Sequence, residues 1–257
     1  MSLSMNESMI KAYLNLHAVL QNLEDIVKLD EQMARLIKDW DLAVEFSVPN
    51  GPSAFVEFKN GVCRHGPTAH ENPTVKLYFT SAGHLNRMFD GKATPIPLKG
   101  FLRLGFLKSE FAQLTDRLTY YLRPELAKPG DENYLKLNTI LTLQTALYAV
   151  KVLGMLEPTS KKIAAHIPAG ALQVEVLPEG PCLHLVFGKD GISVAKGPAE
   201  RPMAKMAFKN LQVANALLTG KVDGFLAVAN GDVVLQGQLP MVDNLNLILD
   251  RVPRYLA

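Results

Sequence analysis

The densest grouping of metal-ligating side chains in this 257-residue chain is Cys63, His65 and His70, followed by Glu71. Thiolate and imidazole groups within one short loop are the ligands a zinc ion prefers. Their spacing matches no zinc pattern, and a plain solvated turn accounts for such a loop without a metal. His84 is a candidate for acid–base work, yet no nucleophile or orienting acid lies near it in sequence. A GxxxxGK[ST] phosphate loop, an HExxH and a GxSxG are all missing. These side chains therefore assign no catalytic residue, no metal and no cofactor, and the chain reads as a protein that is not an enzyme.

The elements that carry these residues say more. Phe79 to Lys92 reads FTSAGHLNRMFDGK, and Phe208 to Lys221 reads FKNLQVANALLTGK. Each passage starts where a strand-like alternation ends, Val75 to Phe79 in one case and Ala204 to Phe208 in the other. Ser81 and Asn210 are matching N-caps, because a short oxygen-bearing side chain can accept an orphan N–H of the first helical turn. Gly91 and Gly220 end the helix where a left-handed residue is needed. Between them Leu85, Met88 and Phe89 match Ala214, Leu217 and Leu218 on one helix face. The two passages are one strand-to-helix unit written twice. His84 corresponds to Val213, and Gly191 to Glu200 contains no Cys or His, so neither chemical candidate recurs in the second copy.

The repetition extends along the chain. Tyr13 to Leu20 resembles Tyr134 to Leu141 inside long helical patterns, and Leu42 to Phe46 matches Leu172 to Val176 as half-buried strands. A second strand ends at Phe58 or Phe187, with Asn60-Gly61 or Asp190-Gly191 as the turn after it. Gly100-Phe101-Leu102 matches Gly224-Phe225-Leu226 as a further strand. Phe111, Leu114, Leu118 and Tyr121 line up with Leu245, Ile248, Val252 and Tyr255 on an amphipathic terminal helix, with Arg117 and Arg251 in register. Pro240 suits the first turn of the second such helix and Pro253 should disturb its last. A period of about half the chain is a domain duplication, since solenoid units run roughly 20–50 residues. The join falls in Arg123 to Glu132, which is rich in proline and glycine. The domains are thus 6–124 and 131–257. Each is α+β, with helices gathered on one face of a largely antiparallel sheet.

Composition narrows the class. Lys plus Arg is 27 against 25 for Asp plus Glu, with no basic excess of the kind that nucleic-acid binding needs. The two cysteines, Cys63 and Cys182, are not equivalent in the repeat, which fits reduced thiols and a cytoplasmic location. No secretory leader is evident, and Met1 to Met5 reads as a cloning scar. Tyr134 to Leu156 is apolar, but Lys136, Asn138, Gln144 and Lys151 interrupt it, so the expectation is a buried helix between the halves and no transmembrane segment.

The order strand, helix, Gly-Lys, Gly-Phe-Leu, then Gly231-Asp232-Val233-Val234-Leu235 and a terminal amphipathic helix resembles the sterol carrier protein 2 (sterol transfer) family, once in each half. The first half departs from it, because Leu104 to Lys108 runs almost directly into its terminal helix without the Gly-Asp step. The resemblance implies a sheet of about five strands covered by helices and an apolar cavity between them for a lipid, fatty acyl or sterol-like molecule. Carried over residue by residue, it implies a lining of Leu77, Phe79, Leu85, Met88, Phe89, Leu102 and Leu104, with Met206, Phe208, Leu217, Leu218, Leu226 and Val228. The expected function is non-enzymatic lipid binding or transport with transient membrane contact. The expected form is a monomer whose halves pack as a pseudo-dimer about an internal pseudo-twofold. The alternative is a structural or interaction module with filled cores, because every lining position would also serve a dry interior.

Overall fold

The computed structural model describes residues 6–123 and 131–256, so most of the expected join, 124–130, lies outside the described residues, as does 1–5. The chain divides into two compact units, one ending at Leu122 and the other beginning at Arg123.

In the first unit Asn6 caps Glu7–Leu14 (α1) by accepting from Met9 N–H. The helix runs through a π-helical turn at Asn15–Val19 and a 3-10 turn at Leu20–Asn22 into Leu23–Leu29 (α2), and Asp30 then caps Glu31–Leu36 (α3). Strands Leu42–Ser47 (β1), Ser53–Lys59 (β2), Val62–Gly66 (β3) and Val75–Tyr78 (β4) lead to helix Ala82–Phe89 (α4). Strand Ile96–Lys99 (β5), a 3-10 turn at Phe101–Arg103, Leu104–Lys108 (α5) and Glu110–Leu122 (α6) complete it. The second unit starts with one 25-residue helix, Glu132–Leu156 (α7), then Pro158–Ala164 (α8). Strands Gly170–Val176 (β6), Cys182–Gly188 (β7), Gly191–Lys196 (β8) and Pro202–Phe208 (β9) precede helices Leu211–Leu218 (α9) and Gly224–Ala229 (α10). Strand Val233–Gly237 (β10), Leu239–Leu249 (α11) and Pro253–Leu256 (α12) end the chain.

The expected α+β class is what forms. Each unit holds a five-stranded mixed sheet, in the orders β3-β2-β1-β4-β5 and β10-β9-β6-β7-β8, which are the same order read from opposite ends. In each, the central pair is parallel, β1 with β4 and β6 with β9, and the other pairings are antiparallel. Alternation fixes the buried face: Val44, Phe46, Val75 and Leu77 in the first sheet, Leu172, Val174, Val176 and Met206 in the second. The polar alternates face the other way, where Lys76 and Glu45 pair at 2.9 Å.

The strand-to-helix passages fold alike to the level of single hydrogen bonds. Ser81 accepts from His84 N–H and Asn210 from Val213 N–H. At the other end Gly91 and Gly220 take φ of +71° and +69°, and the next residue's N–H returns to Arg87 O or Ala216 O. That reversal uses the left-handed conformation that costs glycine least.

One expectation is corrected. Gly100-Phe101-Leu102 and Gly224-Phe225-Leu226 are not strands and are not equivalent. Asp223 accepts from Leu226 N–H and so starts a helix where a strand was expected. Gly100 sits after the last strand of its sheet, at φ +85°, and turns the chain out into a 3-10 turn. The final strand of the first unit is therefore β5, which precedes Gly100, and not a strand following it. α7 is the long apolar helix expected to be buried. It packs on α8, α9, α11 and β8 of its own unit. By length and composition it is the one described helix long and apolar enough to cross a membrane, and two thirds of its most apolar window is buried in the protein.

Candidate ligand-binding surface

The thirteen expected lining residues fall into three groups. Leu77, Phe79, Leu85, Met206 and Phe208 are buried in the cores. Phe79 stacks on Phe46 with ring centroids 6.4 Å apart, which is ordinary interior packing. Met88, Phe89 and Leu104, and Leu217 and Leu218, are half-buried on α4, α5 and α9. Leu102, Leu226 and Val228 are exposed.

The exposed group is concentrated where the second unit departs from the first. On α10 the buried residue is Ala227, while Phe225 is 90% exposed and Leu226 and Val228 stand in solvent beside it. A short helix normally turns its large apolar side chains inward, and this one turns them out. In the preceding helix only Ala214 and Asn215 are buried, and Leu211, Val213, Leu217 and Leu218 are left partly open. A cleft of about 310 Å³ with a mixed polar and apolar lining opens between the first turns of α7 and α9, formed by Glu132, Asn133, Leu135, Lys136, Leu211 and Gln212.

Behind these surfaces lie polar locks, and the sequence reading identified neither their acids nor their asparagines. In the first unit Asp30 caps α3 through Oδ1, which accepts from Gln32 and Met33 N–H, and its Oδ2 accepts from Arg117 Nε at 2.7 Å and Tyr121 Oη at 3.1 Å. In the second, Glu157 caps α8 by accepting from Ser160 N–H, and its two oxygens accept from Arg251 Nε at 3.0 Å and Nη2 at 2.6 Å. Both acids are buried. Burial alone would raise the Asp30 carboxyl, but the hydrogen bond and charge of Arg117, helped by Tyr121 and Met33, hold it below its ordinary value. Burial likewise opposes ionisation of Glu157, yet Arg251 and the Ser160 N–H bring it down to about 2. The Tyr121 phenol moves the other way, to about 12, through burial and the adjacent Asp30 charge. Each lock ties the C-terminal segment of its unit, Arg117 on α6 or Arg251 in the turn between α11 and α12, to the cap between two N-terminal helices. Arg117 and Arg251 stood in register in the sequence, whereas their acids lie 87 and 94 residues away.

A second lock joins the first helix of each unit to the short helix after its fourth strand. Asn86 Nδ2 donates to Ser8 O at 2.8 Å, and Asn15 Nδ2 donates to Asn86 Oδ1 at 3.1 Å. Asn215 Nδ2 donates to Asn138 Oδ1 at 2.6 Å and Thr139 Oγ1 at 3.0 Å. Asn86 and Asn215 hold the same place in the two strand-to-helix passages, which was the one signal available in the sequence.

The candidates for chemistry are dispersed. Among the described residues no three His, Cys, Asp or Glu side chains are placed to share a metal ion. Cys63 is buried, and burial raises its thiol well above the ordinary value, which disfavours the thiolate. His65 Nε2 bonds Leu16 O, and His70 stands by Glu57, which Arg64 also pairs. His84 accepts from Thr80 N–H through Nδ1, so its Nε2–H donates to Thr94 O at 2.8 Å and pins the loop after α4.

Comparison with known proteins returns no matching family model and no matching curated protein. Among solved structures the chain is similar to a UbiJ-SCP2 ubiquinone synthesis protein, with 19% identity, a TM-score of 0.32, and coverage of 40% of this chain and 92% of that one. It is similar to palmitated SCP2L2 from Aedes aegypti at 17% identity and a TM-score of 0.28, over 38% of this chain and 94% of that one. It is also similar to the inverting sec-alkylsulfatase Pisa1 from Pseudomonas sp., at 12% identity and a TM-score of 0.28, over 58% of this chain and 28% of the enzyme.

Proposed function

We propose that this protein is a non-enzymatic binder or carrier of a lipid or other elongated apolar molecule, built from two sterol-carrier-like domains in tandem, and that the second domain takes the ligand. The observation that carries this reading is α10, whose Phe225, Leu226 and Val228 face solvent while Ala227 alone is buried. Together with the half-open Leu217 and Leu218 of α9 they offer apolar surface that the domain itself does not use. An acyl chain laid against it would remove that area from water, at roughly 25 cal/mol for each Å² covered. The cleft beside α9 supplies Lys136 and Glu132 for a headgroup, the usual division between an apolar wall and a few polar anchors. The candidate acids and bases favour binding over catalysis, since Asp30, Glu157, His65 and His84 are all engaged in holding the fold together.

For the first domain the filled-core alternative has its own support, since Leu77, Phe79 and Leu85 are packed, Met88, Phe89 and Leu104 stay partly open, and Leu102 alone of its candidates is exposed. Native mass spectrometry of the freshly purified chain, followed by solvent extraction, tests the assignment. An acyl-chain or sterol mass that is retained by Phe89→Asp and lost in Leu218→Asp, with circular dichroism unchanged, is the expected result. A bare polypeptide that also fails to take up a fluorescent fatty acid would refute it.

A further inference from the structure

We propose that residues 91–109 of the first unit form a docking surface for an anionic lipid bilayer. This goes beyond ligand binding by the second unit and does not depend on it. The segment carries Lys92, Lys99, Arg103 and Lys108 and no Asp or Glu, in a chain whose charges otherwise nearly balance. None of its residues is buried, and Ile96, Leu98, Phe101 and Leu102 are exposed, Leu102 fully. Among the described residues none of its four cations belongs to a salt bridge. Lys99 donates to the neutral Asn72 amide at 2.8 Å and so keeps its charge available.

The surface is held rather than loose. Ile96 pairs with Tyr78 and Pro97 with Leu77, so Ile96 lies on the sheet face opposite the core. The Phe106 ring meets Trp40 edge-on at 4.7 Å, and Trp40 in turn meets Phe58 at 4.9 Å, which anchors α5. Between these fixed points Gly100 lies so close to the β4 edge that a Cβ there would come within 2.7 Å of Thr74 O. The tip Phe101-Leu102-Arg103 is therefore presented outward.

Charge identifies the occupant. Apolar side chains flanked by unpaired cations suit the boundary of an anionic bilayer, where the former enter the acyl region and the latter remain among the phosphates. The corresponding stretch of the second unit, 220–238, also exposes Phe225 and Leu226, but it contains Lys221 with Asp223 and Asp232 and lacks the positive charge. A second copy of the chain packed face to face would bring the four cations of one molecule against the same four of the other.

Vesicle flotation of the full chain tests this, with the single tryptophan, Trp40, as a second readout next to Phe106. The expected result is binding to vesicles of equimolar phosphatidylcholine and phosphatidylglycerol, weakening as salt rises, and none to phosphatidylcholine alone. Lys99→Ala with Arg103→Ala should cost about fivefold in partitioning per cation removed. Phe101→Ser with Leu102→Asp should abolish binding with circular dichroism unchanged, while Phe225→Ser with Leu226→Ser leaves it intact. Equal binding to neutral vesicles, equal loss in the second-unit variant, no binding at all, or a concentration-dependent dimer that Leu102→Asp dissolves would each overturn the proposal. Mass spectrometry of co-purified ligand reads out the other site separately, so either proposal can fail while the other stands.

Discussion

Between the short helix and the terminal helix the two units take different routes over the same frame. The second goes helix then strand, α10 before β10, and its helix turns Phe225, Leu226 and Val228 outward with little charge around them. The first goes directly to its edge strand β5 and then inserts the 3-10 turn and α5, with four cations and no acid. Most of what makes the units alike lies outside these stretches, in the order of the other four strands of each sheet, the N-caps and both polar locks, and the glycine stops mark where the stretches begin. The frame is thus constrained by packing and hydrogen bonding, while the corner it presents to solvent is free to specialise. We read the corner without a positive excess as a ligand surface and the basic corner as a bilayer surface.

The sharpest way to test how alike the frames are is to break the acid locks. Arg251→Ala strands a buried carboxylate that had accepted two guanidinium hydrogen bonds, and the expected loss is about 3–5 kcal/mol in urea unfolding. Arg117→Ala should cost less, because Tyr121 still donates to Asp30. Equal losses would show that the second donor in the first unit contributes nothing.

The pH dependence follows from the same pair. The Glu157 carboxyl sits at about 2 when folded against a reference of 4.5, so its stabilisation is present above pH 4.5 and fades as pH falls towards 2. The amount at stake is about 3 kcal/mol. Asp30 shifts in the same direction, so the first unit loses stability in acid as well. Acid titrations followed by circular dichroism should flatten in Arg251→Ala; an unchanged acid limb would dissociate the lock from acid unfolding.

Asn86→Leu and Asn215→Leu probe the second lock, each leaving buried polar partners unsatisfied at a cost of about 1–3 kcal/mol. Thermal melts of the two variants should fall together, and a drop confined to one would mean that the asparagines play different parts. The smallest effects belong to Gly91→Ala and Gly220→Ala. A Cβ would meet nothing at either site, so only the left-handed backbone is penalised, at about 1–2 kcal/mol. Matching losses would confirm that the two helices stop for the same reason.

How much of this could be read without coordinates differs from feature to feature. The strands, both N-caps and both glycine stops rest on interactions within four or five residues or on period-two alternation, so Ser81, Asn210, Gly91 and Gly220 were legible directly. The Gly-Phe-Leu segments misled because three residues carry no period, and one carboxylate, that of Asp223, decided the second in favour of helix. The long N-terminal helices also diverge in a way the pattern hides, with a π and a 3-10 turn in the first and an unbroken α7 in the second.

The sequence by itself determined the α+β class, the repeated strand-to-helix unit and the apolar stripe of the first unit's terminal helix, all of which follow from local periodicity, whereas the matching stripe of the second unit is split between α11 and α12. Tertiary structure alone decided which lining candidates are core and which are surface, because Phe79 and Leu226 are equally apolar and differ only in what packs over them. It also decided that Asp30 and Glu157, unremarkable in the sequence, are the acids on which Arg117 and Arg251 close, since only folding brings residues so far apart within hydrogen-bonding distance.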